Sequence, residues 1–418
     1  MDELIRILKR YAARFRDVVT GERVRRALYG VLRRWFPVLR IRNTVWVSGL
    51  EDVRDVLGRP DDFSVRAYGV RMRETAGDFL LGHDDAQHAE DRALAQRVMH
   101  EIDEAGPGRV HELALALAGK VIEARIAAGD HLDVVKDLAD TIPVAVASDY
   151  FGIPDPGGRR LLEWVQDMSW YIFNPLASDA DRERGIRAGR QLREHVYRST
   201  HVHRPESPTA NVLDGLILSR ADVDVVVRTL CGLIAGSLGP PPRQFVKAVD
   251  HLLDLEGAAR AKLHDAAVAG NATAVGQFVR EASRLAPDPS LLYRTCERHT
   301  SLGEHALEPG RIVVCLIESA LLDERAIQRP LDLRIDRQAG EQMMFGYGPH
   351  ACLGEGMGME LLMGMALPLF ALPGLRRADG AAGRVQAGEL GTYPAQNYPQ
   401  HLMVTYEPKP ASSRAIGT

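Results

Sequence analysis

The 418-residue chain is poor in cysteine, with four, at positions 231, 296, 315 and 352. No two stand in C-x-x-C spacing, which argues against a zinc site or a dithiol redox motif. They form no disulfide framework either, so a reducing cytoplasm is the expected compartment. Also missing is an uninterrupted apolar run of the ~18 residues a membrane-spanning helix needs. No apolar stretch follows a basic start at Met1-Asp2-Glu3, so no signal peptide is expected. An excess of positive charge is absent as well. The net charge of −4 argues against a nucleic-acid binder. There is no low-complexity tract, no internal repeat and no linker dividing two cores.

What is present is a globular composition, 45% hydrophobic and 26% charged. Length alone suggests two or three domains. The charge is unevenly spread. Residues 1–42 hold twelve Arg and Lys against four Asp and Glu, a local +8 that leaves −12 for the remainder. Such a segment either meets an anionic surface or is a solvated helix face.

Periodicity predicts an amphipathic helix over 3–19 and a second over 22–36, ending at Pro37. Alternation over 38–47 predicts a hairpin with Asn43 in the turn. A short helix over 50–57 follows. Residues 84–151 read as mostly helical, with 108–128 the clearest stretch, a strand or turn at 133–140, and a helix over 141–151. Trp164, Met168, Trp170, Tyr171 and Phe173 cluster in the next stretch, 158–175, the densest aromatic cluster of the chain. A charged helix over 181–200 and a loop over 201–209 precede a long central helix beginning near Asp222. Helices at 258–268 and 273–285 give way to strands near 291–295 and 311–315. A glycine-rich loop at 346–358 and an apolar helix to Leu372 come last, before a tail of strands and turns over 380–408.

The most specific stretch is Phe345-Gly346-Tyr347-Gly348-Pro349-His350-Ala351-Cys352-Leu353-Gly354. It reads F-x-x-G-x-H-x-C-x-G at every fixed position. A cysteine thiolate is a strong metal ligand. It needs backbone N–H donors around it, and glycines at 348 and 354 let the backbone come close. A structural cysteine in a glycine-rich turn is the alternative. The five fixed positions, followed by an apolar helix, set it aside.

This loop resembles the heme-binding loop of the cytochrome P450 family. The resemblance implies a mainly α fold with a small β region, organised as one heme domain. That domain has basic N-terminal helices over 1–36, a mostly helical part over 84–285, and a mixed β and loop part over 286–418 holding the thiolate loop 345–354. It implies heme b (iron protoporphyrin IX) as cofactor, with Cys352 as axial ligand. Phe345 and Gly346 would line the proximal side, and His350 would reach a heme propionate. Glu281-Ala282-Ser283-Arg284 matches the family's E-x-x-R, whose i,i+3 spacing lets the two side chains pair. Arg337 is the expected third member, with Arg334 in reserve. His88 and Arg92, one helical turn apart, match the H-x-x-x-R that clamps a propionate, and Arg294 sits where a strand arginine binds one. A solvated charged face is the plainer account of His88 and Arg92.

The central helix departs from the family. Where A-G-x-[DE]-T delivers protons, this chain has Ala235-Gly236-Ser237-Leu238-Gly239-Pro240-Pro241-Pro242-Arg243. Leu238 and Gly239 replace the acid and the alcohol. Ser237 lies about 160° away from the alcohol position on a regular helix. Three prolines predict a broken or sharply kinked helix, restarting near Pro242. After the cysteine, Met359 stands where an arginine is common, and the family's glutamate would fall at Leu361, one place after Glu360.

Three functions are compatible with these residues. The first is a monooxygenase that oxidises a small organic, secondary-metabolite or lipid-like substrate, with ferredoxin and its reductase as electron donor. The second is a peroxide-using or hydroperoxide-rearranging enzyme, with Arg243 binding a carboxylate or peroxide. The third is a non-enzymatic heme sensor or carrier. Pocket walls are expected from loops 66–82, 160–215 and 390–400, where Arg66, Arg71 and Arg73 hint at an acidic substrate or are simply solvated. Residues 3–34 either touch an anionic membrane peripherally or pack their apolar faces on the domain.

Overall fold

The computed structural model describes residues 22–129, 131–174, 177–338, 341–387 and 398–407. The helix expected over 3–19, and residues 390–397 of the expected pocket wall, lie outside them.

Helix α1 (Glu22–Trp35) stops before Pro37 and leads into the hairpin β1 (Val38–Ile41) and β2 (Thr44–Val47), turned at Arg42 with φ 55°. Then come α2 (Leu50–Gly58), β3 (Phe63–Ser64), α3 (Arg66–Glu74), α4 (Ala86–Ala105), α5 (Arg109–Ala128) and β4 (Leu132–Asp133). The helical body continues with α6 (Ile142–Phe151), α7 (Arg160–Phe173), α8 (Asp179–Val202), α9 (Val212–Leu218), α10 (Val223–Leu238), α11 (Pro240–Leu252), α12 (Gly257–Val268) and α13 (Ala272–Leu285). Four strands follow: β5 (Leu291–Cys296), β6 (Thr300–Leu302), β7 (His305–Leu307) and β8 (Ile312–Leu316). The chain closes with α14 (Ile317–Ala320), α15 (Glu355–Phe370), β9 (Arg376–Arg377), β10 (Gln386–Ala387), β11 (Pro399–His401) and β12 (Met403–Thr405).

The main sheet runs β1-β2-β8-β5-β3, with β2 parallel to β8 and the other pairs antiparallel. Its inner strand β8 is buried from Val313 to Leu316, which is why it reads as a continuous apolar run. One connected hydrophobic core joins this sheet to the helices.

Several sequence expectations are corrected. Residues 66–74 are a helix rather than a loop, and its arginines are spent on structure. Arg71 donates to the carbonyls of Tyr171 (2.8 Å) and Asn174 (2.7 Å). Arg66 pairs with Glu297 and Arg73 with Asp78. The segment Val134–Ala139 is a π-helical turn, because Asp133 accepts the N–H groups of Val135 and Lys136 and the Asp140 N–H reaches back to the Val135 carbonyl. The charged helix α8 extends to Val202, and the glycine-rich loop expected over 346–358 ends at Gly354, where α15 begins.

The proline run does less damage than expected. Helix α11 starts at Pro240, and only Gly239 separates it from α10. The prolines occupy the first turn of α11, where backbone N–H groups have no intrahelical acceptor to lose. The Gly239 N–H still bonds to the Ala235 carbonyl at 3.0 Å. Together Val223–Leu252 is, among the described residues, the one helical stretch long and apolar enough to cross a bilayer, and half of its most apolar window is buried inside the protein.

Helix α1 lies on the body through Tyr29 and Arg33, yet Val24, Leu28, Val31 and Trp35 remain exposed. The expectation that its apolar residues pack on the domain holds for Tyr29 and Leu32 and not for these four.

Candidate active site

The loop before α15 is folded around its cysteine. The Cys352 N–H donates to the Phe345 carbonyl at 2.7 Å, and Gly348–His350 form a 3-10 turn closed by Ala351 N–H to Gly348 O at 3.0 Å. Gly348 has φ 73°, and a Cβ there would sit 2.6 Å from the Leu57 carbonyl at the end of α2, so only glycine fits. Cys231, Cys296 and Cys315 are buried, whereas Cys352 is exposed. Burial raises its thiol above the ordinary range; the Gly354 N–H and the charge of Arg92 oppose this, and Glu355 adds to it. A neutral thiol is therefore the resting form until a cation takes the sulfur.

Behind the loop lies a buried ion cluster. Glu281 and Arg284 pair within α13 through two hydrogen bonds of 3.0 and 3.1 Å. Arg337 donates to the same carboxylate at 2.9 Å and to the carbonyls of Gln328, Arg329 and Asp332. Arg284 also holds the carbonyls of Leu321, Pro330 and Asp332. The Arg334 side chain turns to Asp336, and only its backbone N–H reaches Glu281. Two arginines thus tie α13 to the segment that feeds the loop.

Five titratable groups gather beside the loop: Asp84, His88, Arg92, Arg294 and His350. His88 and His350 have ring centroids 4.3 Å apart. The His350 Nε2 is bonded to Asp84 at 2.7 Å rather than being free, which the sequence did not suggest. Burial raises the Asp84 pKa, but His350 and the Val65 N–H outweigh it and leave the carboxyl below its ordinary range. His88 is buried with Nε2 unpartnered. Burial, with the charges of His350 and Arg92, pushes it down to about 4. Arg92 has no hydrogen-bond or ion-pair partner among the described residues. The Arg294 side chain, on a residue 3% exposed, makes its one hydrogen bond there to the Tyr293 carbonyl. A clamp missed in the sequence lies beside them, where Arg228 on α10 grips buried Asp91 on α4 with bonds of 2.7 and 3.1 Å. Only the position of Asp91 inside the His88/Arg92 motif could have signalled it.

The central helix presents little chemistry. Gly236 is exposed within the helix, and a Cβ there would meet nothing within 4 Å. Leu238 is fully buried. The Ser237 hydroxyl is spent on the Ile234 carbonyl at 3.0 Å. A Cβ at Gly239 would lie 2.8 Å from the Ala235 carbonyl and 3.1 Å from Ser169 Oγ on α7, so the alcohol position is closed by helix contact. Arg243 is buried, chelates Asp288 and stacks on Tyr398 at 4.6 Å, with Lys247 also on Asp288. It is not available to bind an anionic substrate or peroxide. Met359 is buried, and the Glu360 carboxylate accepts the first N–H groups of α5, from Val110 and His111.

No protein-family model matches the chain. It is 26% identical over 378 residues to the steroid C26-monooxygenase of Mycolicibacterium smegmatis, covering 85% of this chain and 87% of that one. It is 25% identical over 252 residues to cytochrome P450(MEG) of Priestia megaterium, covering 59% and 58%. Its fold matches P450BioI, crystallised with a fatty-acid-bearing acyl carrier protein, at a TM-score of 0.76, with 17% identity over 92% of this chain and 99% of that one. Along its length the chain is similar in sequence to cytochrome P450 enzymes, and it has the cytochrome P450 fold.

Proposed function

We propose that this chain is a heme-thiolate monooxygenase that oxidises a small organic substrate of secondary-metabolite or lipid-like character. The observation that carries the reading is the lone exposed cysteine at the mouth of α15, in a chain with the cytochrome P450 fold.

Heme b, the family's cofactor, fits the residues around that cysteine. A buried guanidinium without a counter-ion is costly, and Arg294 is nearly that, holding only a carbonyl. Arg92 and the unpartnered His88 Nε2 likewise await an acceptor. Two carboxylates of a flat cofactor would satisfy them. When bound, a thiolate-ligated heme supplies oxygen activation.

The chain's own residues then have these roles. Cys352 ligates iron, with the Gly354 N–H tempering the charge on sulfur. Arg92, Arg294 and His88 hold the propionates. Asp84 fixes His350 beside them, a change from the direct contact expected in the sequence. Phe345 and Gly346 shape the loop, while Glu281, Arg284 and Arg337 brace it. Ala235 and Gly236 leave room beside the central helix. Leu238, Gly239 and Ser237 deliver no proton, so that task falls to water or a substrate group. With Arg243 consumed by Asp288, the peroxide-binding role assigned to it loses its residue. A ferredoxin with its reductase is the proposed electron donor, and the cytoplasm the proposed location.

The test uses a steroid and a long-chain fatty acid as probes. Oxygen-dependent product formation with ferredoxin, its reductase and NADPH is expected. Turnover with peroxide alone, and none with the ferredoxin system, would contradict the reading.

A further inference from the structure

The exposed side of α1 is an apolar strip with no covering element among the described residues. Val24, Leu28, Val31 and Trp35 fall at i, i+4, i+7 and i+11, within roughly 60° of arc on a regular helix. They are 42, 48, 50 and 69% exposed, and Phe36 continues the strip at 53%. The opposite face is locked to the body. Arg25 holds Glu318 with bonds of 2.8 and 2.9 Å, Arg33 reaches Glu324 and the Ser319 carbonyl at 3.1 Å, and Arg26 reaches the Leu285 carbonyl at 3.2 Å. The strip therefore cannot roll inward without breaking these bonds.

The sequence that carries the strip is of one sign of charge. From residue 23 to residue 50 the sequence has seven arginines and no Asp or Glu. Arg34, Arg40 and Arg42 are exposed, and the Arg34 guanidinium lies over the Trp35 ring at 5.6 Å. An exposed apolar strip ending in Trp and Phe and rimmed by arginines has the composition of a helix that lies in a membrane interface.

We propose that α1 docks this protein on an anionic lipid surface, with the Val24–Trp35 strip in the headgroup boundary and the arginines on lipid phosphates. Charge selects this occupant over two others. A second copy would bring its own arginine-rich face. Residues 1–21 carry five Lys and Arg against three Asp and Glu, again of like sign. The rest of the chain, near −12, is repelled by such a surface, so only this end approaches it.

The experiment is co-sedimentation of the full-length, heme-loaded protein with vesicles. Binding to phosphatidylcholine mixed with phosphatidylglycerol should exceed binding to phosphatidylcholine alone by about tenfold or more. Trp35 emission should shift to the blue, a shift lost in Trp35→Phe. Val31→Glu with Leu28→Glu, and separately Arg34→Glu with Arg40→Glu, should each lower binding several-fold while leaving the thermal melt unchanged. Four outcomes would overturn the proposal: no binding to the mixed vesicles; binding indifferent to Val31→Glu; binding that arises only when residues 1–20 are deleted, which makes that segment the occupant; or a concentration-dependent dimer broken by Val31→Glu without vesicle binding.

Discussion

Cys352 is exposed where the other three cysteines are buried, and burial of its thiol group holds the pKa above the ordinary range. Both properties are measurable in cofactor-free protein. Iodoacetamide should label Cys352 before Cys231, Cys296 or Cys315, slowly at neutral pH and faster as pH rises, and heme loading should protect it; peptide mass spectrometry reads this directly. His88 offers a second handle. Its folded pKa of about 4 lies below the unfolded value near 6.5. The folded state therefore favours the neutral ring. The stability it contributes is present above pH 6.5 and is lost as pH falls through the window to about 4. Histidine NMR of the cofactor-free protein should find one ring titrating near 4. Propionates beside it should move that titration upward on heme loading.

At the scale of elements, the buried ion pairs set the frame of the site. Glu281→Gln removes the acceptor of two buried arginines and should cost about 3–5 kcal/mol in denaturant unfolding. Asp288→Asn should cost a similar amount, because Arg243 and Lys247 lose their acceptor. Gly239→Thr would restore the family's alcohol in sequence but not in function. Its side chain meets Ser169 and the Ala235 carbonyl, so the variant should lose about 1–3 kcal/mol and gain no product per NADPH consumed.

The Glu281–Arg284 pair was legible because i,i+3 spacing is local geometry, and Arg337 followed from the resemblance. The partner of Arg243 was not legible, since Asp288 stands 45 residues away and only the packing of α11 against the end of α13 joins them. Asp91 and Arg228 escaped for the same reason, being 137 residues apart. The π-helical turn at 134–139 was missed because two side-chain caps, not propensity, decide it. The prolines misled in the other direction. Their cost was assessed for a helix interior, and they stand in a first turn.

For the whole molecule, helix periodicity and one loop motif were enough to indicate a mainly α fold with a small β region, and the fold match along 92% of the chain agrees. Surface properties were less legible. That α1 would expose one apolar side depends on which arginines find Glu318 and Glu324, and no local pattern encodes that. The cofactor should act on the molecule as a whole. A ligand that binds only the folded state stabilises it by about 4 kcal/mol at a thousandfold excess over Kd. Heme-loaded protein should melt well above cofactor-free protein, and Arg294→Leu with Arg92→Leu should shrink that gap.

The central claim, that Cys352 is a thiolate ligand to heme iron, is tested most directly by the absorption spectrum of the reduced, carbon-monoxide-bound protein. A Soret band shifted far to the red is predicted for the native chain, with loss of that band in Cys352→His. A band in the position typical of histidine-ligated heme, in freshly purified and fully loaded native protein, would contradict the account.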